Sequence, residues 1–426
     1  MRSARSANPS QQPPQANKAF FTWAAQKDGT PIEIIGGQGA TFLTADGAQW
    51  MDLGSMVWNA NLGHGHPAMR QAMMAAAERS LVVMPSAVFP DKTLAAERLL
   101  DVAPPGLASG KVFLCLSGAE ANENAVKIAL QVTGKKKIIF RSRSYHGATL
   151  GMLAFSGDSR KQGFDVGVSV GVSWEDPYVA GPGPGSLEAL IEAQGPDTVA
   201  AVMLEGVVGA NGVYPPPRSY YRNIRQICDR YGVLFIADEV LSGFGRTGRW
   251  FAVDHDGASP DLLTCGKGLT GGYAPGGAVI ASGRIARHFD DLPLRCGLTN
   301  YAHPLTCAAI AAAIGVYKEE ALIPRAARLG EWMKRHLPLW TRKRPFVKDV
   351  RGVGLLWAIE LNEPDGSKPA SVARMKQLAR ALQSEKIHLH KRDNMVFLAP
   401  PLVISEAQLK DGVERLGAAI DSVWSP

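Results

Sequence analysis

The stretch LFIADEVLSGFGRTG, residues 234–248, joins an apolar, strand-like run to an acidic residue and a glycine-rich turn. Asp238 stands at the end of the apolar run, where a carboxylate can pair with a pyridinium nitrogen. A second stretch, LLTCGKG at residues 262–268, places Lys267 in a short turn between glycines, where an amine can form a Schiff base with an aldehyde. The two residues therefore indicate the groups that pyridoxal phosphate (PLP) requires, although a buried carboxylate and an unrelated surface lysine would give the same pattern.

The size and composition of the chain indicate a soluble globular protein of two or three domains. It has 426 residues, of which 46% are hydrophobic and 20% are charged, as in ordinary globular proteins. Its longest apolar runs have the length of strands, and no secretory signal follows Met1, so we expect no membrane span and no export. The five cysteines lack Cys-x-x-Cys spacing, which argues against a metal site or a disulfide framework and favours the cytoplasm.

The basic residues are dispersed over the chain. The formal net charge is +7, but neither KKK at residues 135–137 nor RKR at residues 342–344 is interleaved with aromatic residues. A solvated surface explains these runs better than a nucleic-acid-binding face does. Positive potential near an active site would still favour anionic ligands.

Four regions can be separated along the chain. Residues 1–17 are polar and proline-rich, without the amphipathic pattern of a transit peptide, and we expect a disordered tail there. Residues 18–64 are predicted to join the small domain and to contain a hairpin at Asp46-Gly47. Residues 65–320 are the predicted large domain that binds the cofactor, and residues 321–426 the small α+β domain.

Helical patterns alternate with short buried-strand patterns in the large region. This alternation predicts an α/β fold with a mostly parallel sheet. The predicted strands lie at residues 111–115, 137–140, 199–204, 233–237 and 277–281. Further along the chain, residues 304–335 are predicted to form one long helical stretch and residues 347–361 one strand.

The turn after the first of these strands has the features of an anion-binding helix start. Ser117 is followed three residues later by Glu120, a capping-box pattern that predicts a helix beginning at Gly118. Such a start directs free N–H groups and the positive end of the helix dipole at an anion, although many capped turns are only structural. After the next strand, Tyr145 and His146 precede a glycine, and an aromatic ring there can either stack on a flat heterocycle or pack in the core.

Several other functional motifs are absent from the sequence. No Gly-x-Gly-x-x-Gly follows a strand, and no Gly-x-Ser-x-Gly is present, which excludes the fingerprints of nicotinamide dehydrogenases and α/β-hydrolases. His64 and His66 have no acidic or cysteine partner at metal-binding spacing, so a turn is the better interpretation.

Taken together, these segments resemble the class III (omega) aminotransferases of PLP fold type I. The resemblance covers about residues 19–425, and the string at residues 238–248 is highly specific for that family. It implies an aspartate aminotransferase-like α/β fold. That fold has a large domain with a mostly parallel seven-stranded sheet and a small α+β domain.

The resemblance also implies roles for individual residues. Lys267 would hold PLP and move the proton, and Asp238 would keep the pyridine nitrogen protonated. The other implied cofactor contacts are Val240 and Tyr145 at the two ring faces, His146 beside Tyr145, Glu205 near Asp238, and Ser117, Gly118 and Ala119 at the phosphate. Thr299 matches a threonine that reaches the phosphate of the neighbouring subunit, which implies a homodimer with shared active sites and leaves a tetramer open.

Two departures from the family pattern narrow the subclass. Ornithine- and GABA-type members carry a glutamate where this chain has Ala210 and a glutamine where it has Leu241. Both changes favour omega-amino acid:pyruvate aminotransferases, and other segments are similar to taurine:pyruvate aminotransferases. Within that subclass Trp58 and Tyr145 would bound the substrate pocket, with Phe21 or Phe89 beside them and Ala87 widening it. Arg392 would bind the substrate carboxylate, with Lys391 as the alternative.

We therefore hypothesise a ping-pong transamination through pyridoxamine phosphate. The donor would be a primary amine or an omega-amino acid, and the acceptor pyruvate or another 2-oxo acid. An aminomutase or a phospholyase on the same fold is the alternative enzyme. A non-catalytic binding protein is a third interpretation, which the joint presence of Lys267 and Asp238 disfavours.

Overall fold

Strands and helices alternate along most of the chain in the computed structural model, which describes residues 18–28, 31–164, 170–180 and 185–424. The tail predicted for residues 1–17 lies outside these ranges. The strands in the described residues are β1 Ile34–Gln38, β2 Thr41–Thr44, β3 Gln49–Asp52, β4 Lys111–Cys115, β5 Lys137–Arg141, β6 Gly171–Trp174, β7 Val199–Glu205, β8 Leu234–Asp238, β9 Leu262–Cys265, β10 Gly277–Ala281, β11 Val347–Val353, β12 Leu356–Leu361, β13 Ile387–His388, β14 His390–Arg392 and β15 Met395–Leu398. The α-helices there are α1 Ser55–Trp58, α2 Pro67–Glu78, α3 Pro90–Val102, α4 Gly118–Thr133, α5 Leu150–Ala154, α6 Pro177–Ala180, α7 Leu187–Gln194, α8 Tyr220–Tyr231, α9 Gly283–His288, α10 Pro304–Glu319, α11 Leu322–His336, α12 Leu339–Lys343, α13 Val372–Ser384 and α14 Glu406–Trp424.

The largest sheet has seven strands in the order β4-β10-β9-β8-β7-β5-β6. Only β10 runs antiparallel to its neighbours, which confirms the predicted mostly parallel sheet. β7 and β8 are buried along their whole length, as expected for parallel strands covered on both faces. β6 and β9 were not among the strands predicted from periodicity. Each has only four residues, and a polar residue (Ser173 or Thr264) interrupts its apolar run.

Helix α4 follows β4 and packs against β9 and β10. Its sheet-facing side consists mainly of small residues, with Ala121, Ala125 and Ala129 fully buried, so its backbone can approach the strands closely. The helix ends at Gly134, which has a left-handed φ of 68° and closes the last turn with a hydrogen bond to Leu130 O. This packing holds the first turn of α4 at the carboxyl-terminal edge of the sheet.

The N-terminal segment and the C-terminal region share a sheet, in the order β1-β2-β3-β13. β2 and β3 form the predicted hairpin, in which Gly47 has a φ of 82° and Asp46 Oδ1 accepts a hydrogen bond from Ala48 N. β13 pairs with β3 in parallel. The remaining C-terminal strands form an antiparallel sheet, β11-β12-β15-β14.

Two predicted elements are each divided in the structure. The long helical stretch is two helices, because Ala321 between α10 and α11 has a left-handed φ of 50°. The single strand at residues 347–361 is a hairpin of β11 and β12 with Gly354 in the turn, at a φ of 56°. A Cβ atom on Gly354 would lie 2.4 Å from Thr247 C, so the turn requires glycine.

Arg246, in the loop after β8, connects the large sheet to segments from the N-terminal and the C-terminal parts of the chain. Its guanidinium is fully buried, donates to Leu355 O at 3.2 Å and Pro400 O at 2.6 Å, and also donates to Ser55 Oγ and Asn61 Oδ1. Burial lowers the pKa of Arg246 to about 10. Within the described residues, no helix has the combined length and apolarity needed to cross a membrane.

Candidate active site

A cavity of about 630 Å³ opens at the carboxyl-terminal ends of β7, β8 and β9. Glu205 and Asp238 are the last residues of β7 and β8 and are paired in the sheet. Lys267 follows β9 and lines the same cavity. This edge is where open α/β sheets bind ligands, and the structure brings together here the two residues on which the sequence prediction rested.

Lys267 lies in a strained turn at the base of the cavity. Its φ is 42°, a left-handed value that is rare for a residue with a side chain. The carbonyl of the next residue, Gly268, accepts a hydrogen bond from Tyr317 Oη at 2.6 Å, which holds the turn. Burial lowers the pKa of Lys267, and Arg160 acts in the same direction, whereas Asp238 and Glu205 oppose the shift. Within the part of the chain that the structure describes, Lys267 Nζ makes no hydrogen bond.

A buried hydrogen-bond network orients Asp238. Its Oδ2 accepts a hydrogen bond from Asn122 Nδ2 at 2.8 Å and lies 2.7 Å from His146 Nδ1, while Oδ1 accepts from Val240 N at 3.0 Å. Asn122 Oδ1 in turn accepts a hydrogen bond from Thr264 Oγ1 at 2.6 Å. The carboxylate is therefore held on several sides.

Asn122 and Thr264 were not predicted from the sequence. A signal for Asn122 was available, because it lies on the same side of α4 as Ala125 and Ala129, where a polar residue needs a partner. His146, predicted as a cofactor contact, lines the cavity and pairs with Asp238. Its Nε2 atom is buried without a partner among the described residues.

The first turn of α4 forms another wall of the cavity. The helix begins at Gly118 as predicted, and Ser117 Oγ accepts a hydrogen bond from Glu120 N at 3.1 Å. The reciprocal bond differs from the expected capping box, because Glu120 Oε2 accepts from Leu116 N at 2.7 Å. Gly118 and Ala119 line the cavity, and amides in a first turn have no partner within their helix.

The Val240 side chain packs tightly against Gly118, in the first turn of α4, and against Gly266. A Cβ atom on Gly118 would lie 2.6 Å from Val240 Cγ1, and one on Gly266 would lie 3.1 Å from the same atom. A side chain at position 118 would therefore displace Val240, and one at position 266 would make a tight contact with the same side chain. Val240 itself lines the cavity beside Asp238.

Tyr145 lies under an arginine that the sequence prediction missed. The Arg160 guanidinium carbon is 3.5 Å from the centroid of the Tyr145 ring, so this face of the ring is already covered. Tyr145 N donates to Glu205 Oε1 at 3.1 Å. Burial raises the pKa of Tyr145, and the positive charge of Arg160 opposes that shift. Burial also raises the pKa of Glu205, and the nearby charge of Asp238 adds to the shift.

Asp158 holds two arginines at the side of the cavity. Arg160 Nε and Nη2 donate to its two oxygens, each at 2.9 Å, and Arg392 Nη1 donates to Oδ2 at 2.7 Å. The Asp158 side chain is fully shielded from solvent. Although burial raises it, the hydrogen bonds from Arg160 and Arg392 hold the pKa of Asp158 well below its usual value.

The alternation along β14 separates the two residues proposed to bind the carboxylate. His390 and Arg392 line the active-site cavity, whereas Lys391 lines a different cavity on the other side of the strand. Period-two alternation of side chains in a strand accounts for this separation. Burial lowers the pKa of His390 to about 4, with the charges of Lys391 and Arg160 adding to the shift.

Of the other predicted substrate contacts, Trp58 lines the cavity, whereas Phe21 and Phe89 do not. Trp58 is buried at the cavity wall, with its ring edge-on to that of His390 at 4.7 Å between centroids. Phe21 is not among the lining residues, whereas Trp23 is. The segment turns at Trp23, which has a positive φ of 58°, and such a turn is not visible in a residue pattern. Phe89 is buried elsewhere, and Thr299 is exposed and outside this chain's own cavity.

The chemistry of these groups fits PLP. A lysine amine, a carboxylate held for a ring nitrogen, and the open amides of a helix start line a single cavity. These are the partners that the aldehyde, the pyridine ring and the phosphate of PLP require.

Comparison with known proteins places the chain in one family. Residues 22–420 match the family model "Aminotransferase class-III". The chain is 36% identical to the acetylornithine aminotransferase of Corynebacterium efficiens over 398 residues, covering 92% of each protein. It is 32% identical to the omega-aminotransferase of Caulobacter vibrioides over 92% of this chain and 93% of that protein.

A solved structure agrees with this assignment. The taurine:2-oxoglutarate aminotransferase of Bifidobacterium kashiwanohense, in complex with PLP and glutamate, superposes with a TM-score of 0.87 at 33% identity, covering 95% of each chain. The chain therefore belongs to the class III aminotransferases, the PLP-dependent transaminases of fold type I.

Proposed function

We propose that this aminotransferase moves the amino group of a primary amine or an omega-amino acid to a 2-oxo acid, with pyruvate as the preferred acceptor, in a ping-pong reaction. The observation that carries the proposal is the pair of arginines, Arg160 and Arg392, on the buried Asp158 beside Lys267. Two guanidinium groups and one carboxylate leave one net positive charge. This matches the single carboxylate of pyruvate better than the two of 2-oxoglutarate.

The cofactor residues have separable tasks in this proposal. PLP, when bound, supplies the electron sink and accepts the amino group. Asp238 holds the proton on the ring nitrogen, with Asn122 and His146 fixing its orientation. Lys267 Nζ takes the proton from the amine-bearing carbon of the substrate and later returns one. Burial favours the neutral form that this role requires.

The phosphate is assigned to the first turn of α4. The amides of Gly118 and Ala119 would donate to its oxygens, and the helix dipole would favour its charge. The Ser117 hydroxyl accepts from Glu120 N and can donate its own proton to the phosphate at the same time. Val240 would pack on one face of the ring, and the uncovered side of Tyr145 would contact the other.

The substrate pocket combines the two arginines with apolar walls. Ala210 and Leu241 line it where ornithine- and GABA-type members carry a glutamate and a glutamine, and Trp58 closes one side. Arg160 and Arg392 would bind the acceptor carboxylate through charge-assisted hydrogen bonds. A donor without a carboxylate would lie against Trp58.

A donor screen with two acceptors tests this proposal. Omega-amino acids, aminosulfonates, arylalkylamines and diamines would each be supplied with pyruvate or with 2-oxoglutarate. The products to be measured are alanine and glutamate. We expect alanine to form faster. Glutamate as the main product would contradict the acceptor assignment, and ammonia release without any 2-oxo acid would contradict transamination itself.

The same proposal includes a homodimer in the cytoplasm. Thr299 is exposed and lies outside this chain's cavity, so Thr299 of the partner subunit would complete the phosphate site. The exposed apolar residues Val82, Met84 and Val88 supply a surface suited to such contact. The free cysteines are consistent with a reducing compartment. Light scattering on the purified protein would measure the oligomeric state, and a monomer at micromolar concentration would contradict the dimer.

A further inference from the structure

A second cavity lies on the opposite face of β14 from the active site. It has a volume of about 690 Å³ and lies between α13, the segment from β13 to β14, and the chain around Lys27 and Ile32. Four cationic side chains line it: Lys27, Lys376, Arg380 and Lys391. None of its lining residues in the described ranges is an aspartate or a glutamate.

Lys391 is the least exposed of these four cations. Its side chain is partly buried, and burial lowers its pKa. Among the residues that the structure describes, no carboxylate or hydrogen-bond acceptor pairs with its amine. Because Lys391 lines the cavity together with three further cations and, among the described residues, no acidic residue, the cavity keeps a positive charge that an anionic ligand would compensate.

Trp50, another residue that lines the cavity, carries a second unpaired donor. Trp50 is 5% exposed and lines the cavity, and its Nε1 atom is buried without a partner in the described part of the chain. Lys386 Nζ lies 5.3 Å from the centroid of the Trp50 ring. Asp52 is near His388 but is fully buried and faces both His64 and His388, so it does not neutralise the lysines.

We propose that this cavity, the Lys391 cavity, is a second anion-binding site that takes a small phosphomonoester with an apolar body. Several cations without an acid favour a dianion over a single carboxylate, and lysine is a good point charge for phosphate. Ile32, Leu382 and Leu389 supply apolar lining for the ligand body, and the volume lies in the ordinary range for small-molecule sites. The chain's own first 17 residues are unsuited to fill it, because they contain Arg2 and Arg5 and no acidic residue.

Calorimetric titration of the PLP-loaded enzyme with phenyl phosphate tests the proposal. We expect binding that weakens as salt concentration rises and that falls by about tenfold or more in Lys391→Gln, the size expected for one hydrogen bond to a charged group. The matched control is Lys334→Gln, which removes an exposed lysine on α11 that does not line the cavity. Its binding should equal that of the unsubstituted enzyme.

Three results would overturn the proposal. The first is no heat of binding up to about 10 mM phenyl phosphate, a concentration beyond the millimolar affinity of a weak site. The second is unchanged binding in Lys391→Gln together with loss in Arg160→Gln, which would place the anion in the active site. The third is equal binding of uncharged phenol. If urea unfolding shows no cooperative transition for Lys391→Gln, the double variant Lys376→Gln/Arg380→Gln tests the same cavity. Unchanged binding of phenyl phosphate by that double variant would also contradict the proposal.

Discussion

Replacing Asn122 by alanine should damage both the stability of the protein and its chemistry. The substitution removes Nδ2, which donates to Asp238 Oδ2 at 2.8 Å and to His146 O at 2.7 Å, and Oδ1, which accepts from the Thr264 hydroxyl at 2.6 Å. Asn122 is 1% exposed, so bulk water does not replace these bonds. Three buried groups lose a partner at once.

The size of the effect follows from these contacts. A hydrogen bond to a charged group contributes about 1.5–3 kcal/mol, and each buried polar group left unpaired costs about 1–3 kcal/mol. With about 1.5 kcal/mol for the bond to Asp238 and about 1 kcal/mol for each of the two neutral groups, the loss in the free energy of unfolding is about 3.5 kcal/mol. If the free energy of activation rises by about 1.4 kcal/mol as a result, kcat/KM falls about tenfold.

Asn124 offers a matched control on the same helix. It is also an asparagine, is 4% exposed, and among the described residues donates only to the Glu120 carbonyl, at 2.8 Å. That carbonyl keeps its helical hydrogen bond, so Asn124→Ala should cost about 1 kcal/mol and leave kcat/KM within about twofold.

Urea unfolding of the PLP-loaded enzyme and single-turnover kinetics with an amine donor measure both quantities. The absorbance of the bound cofactor reports whether the ring environment has changed. Equal losses of stability and of activity in Asn122→Ala and Asn124→Ala would contradict this prediction, because they would show that the bonds of Asn122 to the Asp238 network contribute no more than those of an ordinary buried asparagine.

Four further predictions follow from the site. Lys267→Ala should fold but lose turnover and the borohydride-stable PLP label, so retained labelling would exclude Lys267 as the attachment point. Arg160→Gln should raise the KM for pyruvate about tenfold or more while changing the half-reaction with an uncharged amine little; if only Arg392→Gln has this effect, Arg160 does not bind the acceptor. The folded pKa of Asp158 is lowered, so its contribution to stability is present above its unfolded pKa and is lost as pH falls toward the folded value. In Asp158→Asn the free energy of unfolding should therefore depend less on pH below about 4. Identical pH profiles of the variant and the unsubstituted enzyme would contradict this prediction. Thr299→Ala should weaken PLP binding without changing this chain's own cavity, and unchanged PLP affinity would remove Thr299 from the site.

Much of the site could be predicted because its chemistry is local in the chain. Asp238 ends an apolar strand, Lys267 lies in a glycine-flanked turn, and Ser117 caps the helix that follows β4. Each feature depends on residues within a few positions of one another, and capping and strand periodicity are visible at that range. The order of these segments also carried the resemblance to the family, and with it the seven-stranded sheet.

The interactions between distant segments required the tertiary structure. Asn122 meets Thr264 across 142 positions, and Arg392 meets Asp158 across 234; no local pattern marks either pair. Whether Arg392 or Lys391 faces the active site depends on how β14 pairs with β15, since a shift of one residue in a strand exchanges its two faces. Arg160 was missed for the same reason, because its role arises only where Asp158 and Tyr145 come together. Local sequence patterns were thus enough to predict the fold class and to select Asp238, Lys267 and the Ser117 turn as candidate site residues. Strand register and long-range packing decided which arginines line the pocket and which lysine lies behind it, because these depend on contacts between segments far apart in the chain.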